Sequence, residues 1–82
     1  MDDADIRTRI ERLEQEEQRL RHEEESAAAE VIERDRERLA AIKVELDQLW
    51  DLLRQRRALR EAGRDPDTAS LRDPGTVEGY LN

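Results

Sequence analysis

Apolar residues recur along the first half of the chain at alternating spacings of four and three. The positions in this row are Ile6, Ile10, Leu13, Glu17 and Leu20. On a helical wheel of about 100° per residue they fall within about 80°, a stripe wide enough for one partner helix. Residues 3–62 contain no Pro and no Gly and are rich in strong helix formers. The pattern therefore predicts a first helix over about residues 3–24.

The second half predicts a longer helix, over about residues 30–62, with two apolar faces. Its main row is Leu39, Ile42, Leu46, Leu49 and Leu53. Ile32 and Trp50 widen this row, whereas Leu52 and Leu59 lie together about 100° away from it. A helix with two apolar faces should contact two partners. One would be the first helix, and the other a second chain or the end of the same chain.

The two rows are out of phase by one residue, which indicates a hinge near residues 22–30. Residues 1–33 carry 12 acidic and 5 basic side chains, and residues 34–64 carry 6 acidic and 9 basic ones. Folding back at the hinge would place these opposite charges side by side, which favours an antiparallel orientation. The sequence therefore predicts an all-α protein, with an antiparallel two-helix coiled-coil hairpin over residues 1–63. A single continuous helix is the alternative.

We expect residues 64–82 to form a turn-rich tail. Gly63 and Pro66 form a regular helix stop, and the tail holds both prolines and two of the three glycines. Its concentrated apolar residues are Val77, Tyr80 and Leu81. Docking them would remove apolar surface from water, either on the second helix or in a groove of another protein. The docking sites that the second helix offers are Trp50, Leu52 and Leu59.

Composition points to self-association. The chain has 82 residues, 45% charged and 35% hydrophobic, and no cysteine. So short and polar a chain cannot bury a sizeable core alone, and disulfides are excluded. We therefore expect a homodimer that resembles a four-helix bundle. The predicted interface residues are Leu49, Trp50, Leu52, Leu53 and Leu59.

The candidate chemistry is sparse. His22 is the only imidazole, and Arg19 stands where a Glu-x-x-His metal motif needs Glu. There is no Gly-rich phosphate loop and no arrangement typical of a catalytic triad, so we expect no enzyme, metal or cofactor. No signal peptide and no run of about 18 apolar residues is present. These features predict a cytoplasmic protein without a membrane span.

Two charged clusters could bind a partner. The basic one comprises Arg54, Arg56, Arg57 and Arg60, with Arg64 after it, and the acidic one lies at the hinge, at Glu23–Glu25 with Glu30 and Glu33. The simpler interpretation of the basic cluster is neutralisation by Asp2, Asp3 and Asp5 of the neighbouring helix. Recognition of RNA usually adds stacking aromatics. Since only Trp50 is near, we do not expect nucleic acid to be the partner.

Three segments of the second half carry a resemblance to a known family. They are Val44–Gly63, the Asp65-Pro66-Asp67 turn and Thr76–Leu81. Together they resemble a small actinobacterial family of unknown function, which implies a bacterial setting and brings no functional residues. The sequence is best interpreted as a non-enzymatic structural or protein-interaction module that self-associates. The alternative is a small regulator that binds the transcription or translation machinery through the Arg54–Arg64 cluster or the acidic hinge.

Overall fold

The computed structural model describes residues 1–23 and 28–81, with the side chains of these residues except at positions 29 and 78–81. All regular structure in these ranges is helical. The elements are α1 (Asp3–Glu23), α2 (Ala29–Glu61), a short 3₁₀ helix (Pro66–Thr68) and α3 (Pro74–Leu81). None of the described helices is long and apolar enough to cross a membrane.

The first helix starts with a reciprocal pair of aspartates. The amide of Asp5 donates to Oδ1 of Asp2 at 2.9 Å, and the amide of Asp2 donates to Oδ2 of Asp5 at 3.1 Å. This is a capping box, which satisfies backbone donors that a helix start leaves free. The negative charges also suit the positive end of the helix dipole. The start of α1 is therefore encoded locally.

The second helix begins without such help. Ala28 occupies the N-cap with an extended backbone, φ −69° and ψ 158°, and it has no side-chain oxygen to accept a hydrogen bond from the first turn. The predicted hinge at residues 22–30 includes positions 24–27, which lie outside the described residues. Within the described residues, α1 ends at Glu23 and α2 begins at Ala29.

The end of α2 follows a Schellman arrangement. The amide of Arg64 donates to the carbonyl of Leu59 at 2.8 Å, and the amide of Gly63 donates to the carbonyl of Arg60 at 3.0 Å. Gly63 makes this possible because it adopts φ 71°, a left-handed conformation that side chains with a Cβ disfavour. The chain then turns away from the helix axis into the tail.

The two long helices lie side by side and run in opposite directions. Asp3 pairs with Arg60, Arg9 with Glu45 and Glu16 with Arg38, so the residue numbers rise on α1 as they fall on α2. Their apolar rows meet in one core. Its buried members are Ile6, Ile10, Leu13, Leu20, Ile42, Leu49, Leu52 and Leu53.

The tail folds back along α2. Gln55 donates to the carbonyl of Ser70 at 2.9 Å, and Gln48 donates to the carbonyl of Arg72 at 3.0 Å. The 3₁₀ helix and α3 both pack on α2, and Val77 is 3% exposed. The predicted docking residues Tyr80 and Leu81 have side chains outside the described set. The second helix is therefore central, with α1 and the tail packed against it.

Candidate interaction surfaces

Two other segments of the chain contact the guanidinium of Arg56, which is carried by α2. Its Nε donates to Oδ1 of Asp3 at 2.5 Å, while one terminal nitrogen donates to Oδ1 of Asp67 at 3.0 Å and to the carbonyl of Pro66 at 3.3 Å. The residue is only 6% exposed. Arg56 therefore joins the start of α1 and the beginning of the tail to the end of α2.

The carboxylate of Asp3 accepts from two arginines. Arg60 donates to its two oxygens at 3.2 and 2.7 Å, in addition to the bond from Arg56. Hydrogen bonds from Arg60 first and Arg56 second lower the pKa of Asp3 from an ordinary value of 3.8 to about 2, because both favour the charged form. Glu16 is a similar case, since its bond to Arg38 lowers its pKa.

The four arginines of the predicted basic patch have different surroundings. Arg56 and Arg60 bind Asp3, as described above, and Arg57 pairs with Glu61 one turn later at 3.0 Å. Arg54 is exposed and has neither an ion pair nor a hydrogen bond to the described residues. Half of the patch therefore holds the fold together, and Arg54 and Arg57 remain on the surface.

The partners of the patch only partly match the expectation from sequence. Asp3 binds the cluster as expected, but Asp2 and Asp5 bind each other's amides instead. Asp67 of the tail is a partner that sequence reasoning missed. The sequence contains a signal for this turn, because Asp65-Pro66-Asp67 is typical of a tight turn capped by its first aspartate. In the structure, Asp65 accepts from the amide of Asp67 at 2.9 Å. Periodicity along α2 gives no indication of where that turn lies.

The residues predicted to form a dimer interface differ in how far they are exposed. Leu49, Leu52 and Leu53 are buried inside the single chain, and Leu59 is half-buried. Ala69 of the tail packs against this core and lines a cavity with Leu52. Leu52 is therefore largely enclosed by its own chain. Trp50, 41% exposed, is the large apolar residue of the set that remains accessible.

A shallow cleft surrounds Trp50 and is lined by residues of α1 and α2. It has a volume of about 190 Å³. Its lining residues are Asp3, Arg7, Trp50, Leu53, Arg54, Arg57 and Arg60. Arg7 comes from α1, so both long helices contribute. We call this site the Trp50 cleft.

Among the described residues, metal-binding side chains are not clustered along the seam between α1 and α2. No group of three or more His, Cys, Asp or Glu side chains within residues 1–23 and 28–81 is placed to hold a metal ion, and His22 is exposed in the last turn of α1. Asp35 is buried, and its Oδ2 has no hydrogen-bond partner among the described residues. Burying an unsatisfied carboxylate costs free energy. Polar residues in the seam of a coiled coil set its register at such a cost in stability.

Comparisons with known proteins give a family and no activity. A family model described as "protein of unknown function (DUF2630)" matches residues 2–82. Uncharacterised proteins from Mycobacterium bovis and from two strains of Mycobacterium tuberculosis are each 56% identical over 46 residues, which is 56% of this chain and 53% of each relative. The chain thus matches about half the length of these relatives. No solved structure matches it.

Proposed function

The chain belongs to the DUF2630 family of proteins of unknown function, and on that premise we propose that it is a non-enzymatic protein-interaction module. The resemblance seen in residues 44–81 is thereby confirmed, and mycobacterial relatives agree with an actinobacterial family. The proposal rests on the geometry of this chain alone, since no activity comes with the family. Ion pairs among the described residues join α1 to α2 and the tail to α2.

One observation carries the proposal: α2 is covered unevenly. The apolar seam of α2 faces α1, and the tail covers the face with Leu52. The remaining side presents Trp50, 41% exposed, together with exposed arginines. Exposed Trp and Arg together are typical of surfaces that bind other proteins. A module with one open side is suited to receive a partner there.

We propose further that α1 and α2 form an antiparallel coiled-coil hairpin in solution. The opposite order of the ion pairs along the two helices supports this arrangement, as do the facing rows of apolar residues. Spin labels at Arg12 and Ala41, both exposed, should then report a separation of about 20 Å or less. A continuous helix would keep them about 44 Å apart at 1.5 Å per residue. Dilution with unlabelled chains excludes an intermolecular signal.

Self-association is the second part of the proposal. Half-buried apolar residues remain along the hinge-proximal part of α2 at Val31 and Ile32, and a second copy would remove them from water. Sedimentation equilibrium should show a homodimer at tens of micromolar (order of magnitude for a weak dimer). Ile32→Glu should weaken the dimer, while Thr8→Glu, on an exposed position of α1, should not. A wild-type monomer at all these concentrations would contradict self-association.

The alternative function, a regulator of the transcription or translation machinery, retains some support from exposed basic residues. Arg54, Arg57 and Arg64 are exposed, whereas Arg56 and Arg60 are engaged by Asp3. Of the acidic hinge, Glu24 and Glu25 lie outside the described residues. Affinity capture from the native host separates the two functions. Recovery of ribosomal or polymerase subunits that is lost in Arg54→Glu would favour the regulator.

A further inference from the structure

The Trp50 cleft has an unbalanced set of charges. Four arginines line it against a single aspartate. That aspartate, Asp3, is already bound by Arg60 at 2.7 Å and by the buried Arg56. The positive charge of the lining is therefore only partly neutralised within the chain, although the chain as a whole has a net charge of −7.

The individual partners of these arginines show which charges are accessible. Among the residues that the structure describes, Arg7 and Arg54 make neither a hydrogen bond nor an ion pair. Arg57 pairs with Glu61 on the same helix, and both side chains are about two-thirds exposed or more. Exposed pairs of this kind contribute little and are readily exchanged. Three guanidinium groups around the cleft are therefore available to carboxylates from outside.

The lining of the cleft includes two apolar residues. Trp50 and Leu53 line it together with the arginines of the two helices, and Trp50 is 41% exposed. A cation on its own would be repelled here, and an apolar group on its own would leave the arginines unused. The chemistry that satisfies both features is an apolar side chain flanked by carboxylates.

We propose that the Trp50 cleft binds an acidic peptide segment of another protein, with an apolar side chain on Trp50 and carboxylates on Arg7, Arg54 and Arg57. This inference rests on the proposed function, because it names the partner chemistry of the open side. A long nucleic acid suits the cleft less well. Asp5 lies at the start of α1, and Glu61 and Asp65 lie at or just after the end of α2, two ends that the Asp3–Arg60 pair holds together. Their charges would repel a polyanion that extends beyond the cleft.

The single tryptophan of the chain makes the site observable without a label. The probe is a short amidated peptide of Glu and Leu residues, titrated into the full chain while Trp50 emission is recorded. The peptide should shift the emission to shorter wavelength, because it excludes water from the indole. Arg54→Glu should weaken binding by roughly tenfold or more. Arg19→Glu, the same charge change at an exposed position of α1, should leave binding unchanged.

Each of the following results would overturn the inference. The first is equal binding by a peptide in which each Glu is replaced with Lys. The second is a stronger shift with a single-stranded oligothymidylate than with the acidic peptide at physiological salt. The third is a shift of Trp50 emission that appears when the protein is concentrated without peptide. If added peptide did not reverse this shift, the cleft would be assigned to a second copy of the chain. If the peptide has no effect while sedimentation still shows a dimer, the cleft proposal fails and the proposed self-association stands.

Discussion

At the scale of single residues, Arg56 shows how one side chain can connect distant parts of a short chain. It binds Asp3, 53 positions earlier, and Asp67, 11 positions later. Its neighbour Arg57 has the same chemistry but reaches only Glu61 on its own helix. Since successive residues on a helix point about 100° apart, one arginine faces the junction and the other faces water. Charge content alone does not distinguish them.

Asp3 should make the stability of the protein depend on acid pH. Its folded pKa of about 2 lies below the ordinary 3.8, so its contribution is fully present above about pH 4 and is lost as the pH falls through about 2. In urea denaturation at a series of pH values, Asp3→Asn should be less stable than the wild type at neutral pH. The difference between the two proteins should shrink towards pH 2.

The control for this prediction is Glu11→Gln on the exposed surface of α1. A surface substitution away from any such contact should change the free energy of unfolding by no more than about 0.5 kcal/mol. If Asp3→Asn behaved like this control at neutral pH, the pairing of Asp3 with Arg56 and Arg60 would contribute nothing to stability.

At the scale of elements, the ends of the helices differ in how well the sequence specifies them. The start of α1 has its capping box and the end of α2 has Gly63 in a Schellman arrangement. The start of α2, by contrast, has Ala28 as its N-cap without a side-chain bond. Most of the stability of α2 must therefore come from packing against α1 and the tail.

The N-cap of α2 offers a stabilising substitution. Ala28 is exposed and already has the extended backbone that an N-cap needs. Ala28→Ser supplies an oxygen that accepts from an amide of the first turn, and we expect a gain of about 1 kcal/mol in the free energy of unfolding. Ala41→Ser, at an exposed position inside α2, should instead lower the free energy of unfolding by about 0.5 kcal/mol, because Ser has a lower helix propensity than Ala. Thermal unfolding followed by circular dichroism measures both.

Gly63, at the other end of α2, offers a substitution that should destabilise the fold. A Cβ at this position would meet no atom within 4 Å, so its cost comes from φ 71° alone. Gly63→Ala should therefore destabilise the fold by about 1–2 kcal/mol, the usual cost of a left-handed residue with a side chain. Gly75→Ala is the matched control, because φ of Gly75 is not positive and its Cβ would make only ordinary contacts. Equal losses of stability in Gly63→Ala and Gly75→Ala would contradict this explanation.

At the scale of the whole molecule, the tail decides which surface of α2 is free. The turn at Pro66–Thr68 and the hydrogen bonds from Gln48 and Gln55 lead the chain along the side with Leu52. Trp50 stays exposed on the other side. Of the three docking sites offered by the sequence, the tail thus covers Leu52 and leaves Trp50 open. The open side exists because the tail takes this path.

Removal of α3 should destabilise the protein without changing the environment of Trp50. Deletion of residues 74–82 removes Val77, whose burial alone contributes about 1.5 kcal/mol or more. We expect a lower Tm by several degrees and an unchanged Trp50 emission maximum. Val77→Ala should reproduce part of the loss, while Thr76→Ala, at an exposed neighbour, should have little effect. A shifted emission in the deletion variant would show that the tail reaches Trp50.

The sequence by itself determined the features that depend on neighbours along the chain. The apolar rows predict two long helices and their facing sides, and Gly63 with Pro66 predicts the end of the second. Other features were decided only by the tertiary structure. It selects which of two adjacent arginines binds Asp3, and it brings Asp67 to the same arginine. It also encloses Leu52 and leaves Trp50 exposed. The physical reason is that periodicity assigns a residue to a face of a helix, whereas the segment that covers that face depends on a chain path set by turns and contacts far away in sequence.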